Sequence, residues 1–184
     1  ALLYEIIVKE RLPIRKIVLA SSQAVYGEGK YQCPTHGIQY PYIRKLEQLE
    51  IGEWEVKCPL CMGDVKSLPT DEARVNNHNQ YSVSKYGHER YALTLGKRYD
   101  IPTTVLRYSI TQGSRQSFYN AYSGILRIFS MRLLNGMPPV IYEDGQQLRD
   151  YVYVGDVAKA NMLVMQDDAT NYEVFNVGGR KAMT

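Results

Sequence analysis

Three short β-branched or apolar runs, spaced by helical patterns, constrain this chain more than any other feature. Residues 16–20 (Lys-Ile-Val-Leu-Ala), 103–108 and 173–177 have the length and apolar character of strands buried in a sheet. A helix spans residues 2–11 and Pro13 ends it. A second helix runs over 81–99, with Asn79 as its cap, and Asp100 and Pro102 separate it from the next strand. Residues 122–135 carry an amphipathic helix (Ile125, Leu126, Phe129, Leu133), stopped by Gly136 and Pro138-Pro139. Short strands are predicted at 140–142 and 151–154 around the Asp144-Gly145 turn, and another helix from Asp156. Strands alternating with helices predict an α/β fold with a largely parallel sheet.

The length of 184 residues favours a single domain. A net charge of +3, with dispersed Lys and Arg, argues against a nucleic-acid surface. No apolar run approaches the roughly 20 residues of a membrane span, and no signal peptide opens the chain, so the cytoplasm is the default location. The chain begins at Ala1 inside an apolar helical pattern and stops at Thr184 just after Gly178-Gly179, which reads as a piece of a longer protein or a trimmed chain.

Tyr81 and Lys85 are four apart on a predicted helix and therefore share a face. A tyrosine, with an unperturbed pKa of about 10, needs help to act as a base at neutral pH. A neighbouring ammonium and an oxidised nicotinamide would both favour its phenolate. With 16 tyrosines in the chain, the spacing alone also fits an exposed helical pair. Ser22 closes the first strand, at the edge where open α/β sheets hold ligands. There its hydroxyl could bond the substrate oxygen that Tyr81 deprotonates, or simply serve a turn.

The wording of these segments is more specific than their spacing. Ser21-Ser22-Gln23-Ala24-Val25-Tyr26-Gly27 resembles the strand-end motif of the extended short-chain dehydrogenase/reductases, the NAD-dependent nucleotide-sugar epimerases and dehydratases. Tyr81-Ser82-Val83-Ser84-Lys85 is similar to their Tyr-x-x-x-Lys. Leu106-Arg107-Tyr108 with Gly113-Ser114-Arg115-Gln116, the run from Asp144 through Arg149-Asp150-Tyr151 to Asp156-Val157-Ala158, and Phe175-Asn176-Val177-Gly178-Gly179 resemble three further blocks, in the family order.

The resemblance implies a partial Rossmann-type doubly wound parallel sheet with part of a small C-terminal substrate domain. It implies an epimerase acting on a UDP- or dTDP-hexose, most simply at C4, through NAD, and it is compatible with a homodimer. Ser22, Tyr81 and Lys85 would be catalytic. Tyr81, Lys85 and Tyr108 would face the cofactor, Val140 and Tyr142 would flank the base, and Arg149 would bind a phosphate. On this view residues 1–184 are the C-terminal portion of an epimerase domain.

Departures from the family pattern limit the carry-over. None of the 14 glycines has the G-x-x-G-x-x-G spacing that cradles a dinucleotide pyrophosphate, and Gly27-x-Gly29 reads as a turn. Ser114 stands where Pro is expected, and Ile110 where many relatives carry an Asn that contacts the nucleotide sugar. Gln23 and Ala24 replace the acid and base that related 4,6-dehydratases carry after the catalytic hydroxyl, which favours epimerisation. Two other readings stay open: a reductase of the same family, and a non-catalytic sugar-nucleotide-binding module.

Residues 28–78 are longer than the corresponding family segment and read as an insertion. They hold all three cysteines: Cys33-Pro34-Thr35-His36-Gly37 and Cys58-Pro59-Leu60-Cys61 form two knuckle-like pairs. Four S/N ligands at this spacing satisfy a closed tetrahedral zinc site, which is structural because it leaves no open position. Free thiols with an incidental His are the alternative. A loop this long needs an internal staple, and a zinc-ribbon-like insertion supplies one.

Overall fold

The computed structural model describes residues 1–119, 124–179 and 181–184. Three strands predicted from the sequence meet in one parallel sheet: β1 (Ile17–Ser22), β5 (Thr103–Tyr108) and β8 (Val174–Val177), in the order β1-β5-β8. The register places Ser22 beside Tyr108 and Tyr108 beside Val177. All three strands therefore end in one row, the carboxyl edge of the sheet.

The period of two divides β5 between the two faces. Thr103 and Arg107 meet the helices α1 (Leu2–Lys9) and α3 (Gln80–Arg98) through Tyr4 and Glu89. Thr104 and Tyr108 meet Thr170 and Asn161, the latter on α5 (Val154–Gln166), on the other side. Between α1, α3 and the sheet lies a core of Tyr4, Ile7, Ala92 and Ile101, with Ile17 and Leu19 packed against it. Helices on both faces of a parallel sheet bear out the α/β expectation.

The helix α3 starts where Asn79 predicts. The Asn79 side chain accepts from the Ser82 amide at 2.8 Å, and Ser82 Oγ accepts from the Asn79 amide at 3.1 Å. This reciprocal cap satisfies two amides that the first turn leaves unpaired. Among the described residues, no helix is long and apolar enough to cross a membrane.

The segment between Ser22 and Tyr81 is more ordered than its sequence suggests. Strands β2 (Lys30–Cys33), β3 (Gly37–Gln39) and β4 (Lys66–Leu68) form a second sheet, antiparallel, in the order β3-β2-β4; a short helix α2 (Leu46–Glu50) interrupts the connection.

Farther along, the predicted helix 122–135 is seen as α4 (Ile125–Leu134); residues 122 and 123 lie outside the described residues. The strand expected at 140–142 does not form. Ile141 and Tyr142 are exposed, and Pro138-Pro139 directly before them offer no amide to a ladder. Strand β7 (Tyr151–Tyr153) pairs instead, in parallel, with β6 (Ile110–Gln112), and α5 begins at Val154, two residues before the expected start. The Asp144-Gly145 turn is present, with Gly145 at φ 74° and Asp144 Oδ1 accepting from the Gln146 amide.

Candidate active site and metal centre

Ser22 is the last residue of β1, in extended conformation, and caps a turn of 3-10 helix over Gln23–Tyr26 by accepting from the Ala24 amide at 3.2 Å. That bond uses an oxygen lone pair, so the hydroxyl proton remains available to a ligand. Gly27 closes the turn at φ 61°, and a Cβ there would collide with the Asn76 carbonyl and the His78 ring. The Asn76 amide donates to the Val25 carbonyl at 2.9 Å. The close approach at glycine thus brings the residues that lead into α3 against the turn that follows Ser22.

On the first turns of α3, Lys85 Nζ donates to the Ala20 carbonyl at 3.0 Å and stands 5.9 Å from the centre of the Tyr81 ring. Lys85 therefore connects Tyr81 to the strand that bears Ser22. Tyr81 is 54% exposed, so its phenol is open to a ligand. A cleft of about 280 Å³ opens at the sheet edge, lined among others by Ser22, Gln23, Tyr108, Ile110 and Gln112. The structure brings Ser22 and Tyr108 together there, but Tyr81 and Lys85 lie outside the cleft lining. Tyr108 is oriented by a bond from its hydroxyl to Asn161 Oδ1 at 2.9 Å. Ile110 adds an apolar residue to the cleft lining.

Val140, Tyr142 and Arg149 belong to a separate exposed segment and do not line that cleft. The Arg149 main chain exchanges two hydrogen bonds with Met183, and its Nη1 donates to the Leu148 carbonyl.

A buried network that the sequence reading missed fixes α3 to the sheet. Glu89, one turn beyond Lys85, receives two bonds from Arg107 (Nη2 to Oε2 at 2.7 Å, Nε to Oε1 at 3.0 Å) and one from Ser21 Oγ at 2.5 Å. Arg107 Nη1 donates to Tyr26 OH at 2.8 Å, and Tyr26 OH donates to Asn176 Oδ1 at 2.6 Å. Glu89 and Arg107 are 1% and 3% exposed. Burial works against the Arg107 charge, yet the Glu89 carboxylate outweighs it and holds the guanidinium above its ordinary pKa. Burial likewise pushes the Tyr26 phenol up, with Arg107 opposing. The available signal was an arginine as the single charged residue of the strand Thr103–Tyr108.

The four cysteine and histidine residues converge. The ligand atoms of Cys33, His36, Cys58 and Cys61 all lie within 4.8 Å of one another. Cys33 Sγ is 3.7 Å from His36 Nδ1 and 3.9 Å from Cys61 Sγ, and Cys58 Sγ is 3.7 Å from His36 Nδ1. Sulfurs around a tetrahedral zinc stand about 3.8 Å apart, given bonds of ~2.3 Å, and these three separations lie close to that spacing.

The first pair is the β2–β3 hairpin, in which Cys33 faces Gly37 and Gly37 takes φ 68°. In the second, Met62 takes φ 57° and its amide bonds the Cys58 carbonyl at 2.9 Å. Burial opposes ionisation of Cys58, but the Leu60 and Cys61 amides and the neighbouring thiols outweigh it and lower its pKa to about 6. A thiolate is the form a metal takes.

A parallel sheet with helices on both faces, and polar groups gathered at its carboxyl edge, is a Rossmann-type α/β architecture. Residues 60–178 match the NAD dependent epimerase/dehydratase family, and the chain belongs to it. The dTDP-L-rhamnose 4-epimerase of Burkholderia thailandensis is 30% identical over 182 residues, 98% of this chain and 48% of that protein. The UDP-glucose 4-epimerase of Thermotoga maritima, solved with UDP-glucose, superposes with a TM-score of 0.72 at 30% identity, over 99% of this chain and 47% of that one. The UDP-N-acetylglucosamine 4-epimerase of Methanobrevibacter ruminantium, solved with UDP-N-acetylmuramic acid, gives 0.70 at 28% identity, over 99% and 47%. The chain spans about half the length of these relatives.

Proposed function

We propose that the full-length protein epimerises a nucleotide-linked hexose at C4, with Ser22, Tyr81 and Lys85 as its catalytic residues. The observation that carries this reading is Lys85, which reaches both Tyr81 on α3 and the Ala20 carbonyl of the strand ending in Ser22. NAD, when bound, would supply reversible hydride transfer at that carbon. Tyr81 removes the C4 hydroxyl proton and later returns it. Ser22 bonds the same oxygen and shares the proton's path. Lys85 would hold the nicotinamide ribose, and Tyr108 would line the nicotinamide side.

Val140 and Tyr142 flank the nucleotide base, and Arg149 binds a phosphate with its planar fork of donors. Between the two halves the keto sugar presents its other face. Gln23 and Ala24, which follow Ser22, hold no proton that could drive loss of water, so the chemistry stays at one carbon.

Residues 1–184 form the C-terminal portion of the epimerase domain, including part of its substrate domain. Residues 28–78 are a zinc-ribbon-like insertion in which Cys33, His36, Cys58 and Cys61 hold one structural zinc. Tyr81→Phe in the full-length protein tests the catalytic assignment. Turnover should fall at least about 10²-fold, the usual worth of a general base; near-wild-type turnover would remove Tyr81 from the mechanism.

A further inference from the structure

The insertion touches the segment assigned to the nucleotide. Arg44 lies between the two halves of the proposed metal site, in the connection from β3 to α2. Its guanidinium makes a two-pronged ion pair with Glu143, Nη1 to Oε2 at 2.7 Å and Nη2 to Oε1 at 3.0 Å, across 99 residues of sequence. The side chains are 22% and 21% exposed, and the two-pronged geometry fixes the orientation of the guanidinium on the carboxylate. Nη1 also donates to the Trp54 carbonyl at 2.6 Å, and Gln48 Nε2 donates to the carbonyls of Glu53 and Glu55. These bonds fix Arg44 to the chain that runs directly into Cys58.

On the other side, Glu143 takes φ 56°, a conformation that a side-chain-bearing residue keeps only when its surroundings enforce it. Gln147 Nε2 donates to both the Tyr142 carbonyl and Glu143 Oε2, each at 3.0 Å, and closes the turn around the ion pair. Val140 and Tyr142 hang from this turn. The electrostatics point the same way. Arg44, then Gln147, hold the Glu143 carboxyl below its ordinary range, with Arg149 adding to the effect. Burial raises the Tyr31 phenol on β2, while Arg44 and Arg149 oppose the rise.

We propose that the insertion is a wall of the nucleotide-sugar site, with Arg44 as the positioning residue that holds the 140–149 turn in its binding shape through Glu143. This rests on the assignment of Val140, Tyr142 and Arg149 to a nucleoside diphosphate. Arg44 touches neither substrate nor cofactor. It sets where the base-flanking side chains stand, and the metal-stapled loop sets where Arg44 stands. The ligand class is a pyrimidine nucleoside diphosphate carrying a sugar.

Calorimetric titration of the full-length protein with UDP and with dTDP tests this without depending on turnover. Arg44→Met should weaken binding about tenfold or more while leaving metal content and melting temperature near wild type. Glu143→Gln should do the same, and the double variant should be no weaker than either single one, as for two residues acting through one contact. Arg44→Lys keeps the charge but loses the fork, so it should fall between wild type and Arg44→Met, and it serves if Arg44→Met does not fold. On a nucleotide sugar that turns over, KM should rise with kcat unchanged.

Unchanged nucleotide affinity in Arg44→Met, or additive losses in the double variant, would overturn the proposal. So would a wild-type protein that binds neither nucleotide. Nucleotide binding that depends on Arg44 in a protein inactive on every hexose would uphold the inference and overturn only the reaction assigned above.

Discussion

Glu89→Ala leaves the Arg107 guanidinium buried without the carboxylate that takes two of its hydrogen bonds, and deprives Ser21 of its acceptor. Both partners are almost fully enclosed, at 1% and 3% exposure, so solvent cannot replace the lost bonds. Breaking one side of such a pair costs about 3–5 kcal/mol, because the remaining charge stays desolvated. For a chain of this size each kcal/mol moves the melting temperature by roughly 2–4 °C, so the loss should be about 6–20 °C. Thermal unfolding followed by circular dichroism measures it. The pair Glu89→Leu with Arg107→Met, which removes both charges and keeps the volume, should recover much of that loss. A Glu89→Ala protein melting within about 2 °C of wild type would refute the idea that this ion pair holds α3 to the sheet.

Elemental analysis of protein purified without added metal should find one zinc per chain; less than a few tenths of an equivalent, with all three thiols freely titratable, would refute the metal site. In Tyr81→Phe, nucleotide-sugar affinity should change little, because the phenol serves the reaction and not the binding, and a large loss of affinity would contradict that division of roles.

The parts of this molecule that depend on local pattern could be read from its sequence. The run at 103–108 became β5, Asn79 capped α3, and the two knuckle pairs were visible because three-residue spacing already brings two ligands to one side of a turn. Features that depend on choosing a distant partner could not be read. Residues 140–142 have the composition of a strand, but β7 pairs with β6, and the Val-Ile-Tyr run itself does not reveal that it pairs with no strand among the described residues. The antiparallel sheet between Ser22 and Tyr81 uses strands of three or four residues, too short to show a period. Arg107 was visible as a charge inside a buried run, whereas its partner Glu89 looked like any polar residue on a helix until α3 was docked. Arg44 and Glu143 gave no sign at all, since nothing marks two ordinary charged residues 99 apart as a pair.

The central claim is reversible oxidation at one sugar carbon. It is tested most directly by incubating the full-length protein with UDP- and dTDP-hexoses deuterated at C4 and following the products by NMR. A hydride that leaves and returns on one bound nicotinamide does not exchange with water. The account therefore predicts an equilibrium pair of C4 epimers, both retaining deuterium at that carbon. A 4-keto-6-deoxy sugar accumulating in their place, or epimers that carry solvent hydrogen at C4, would contradict it.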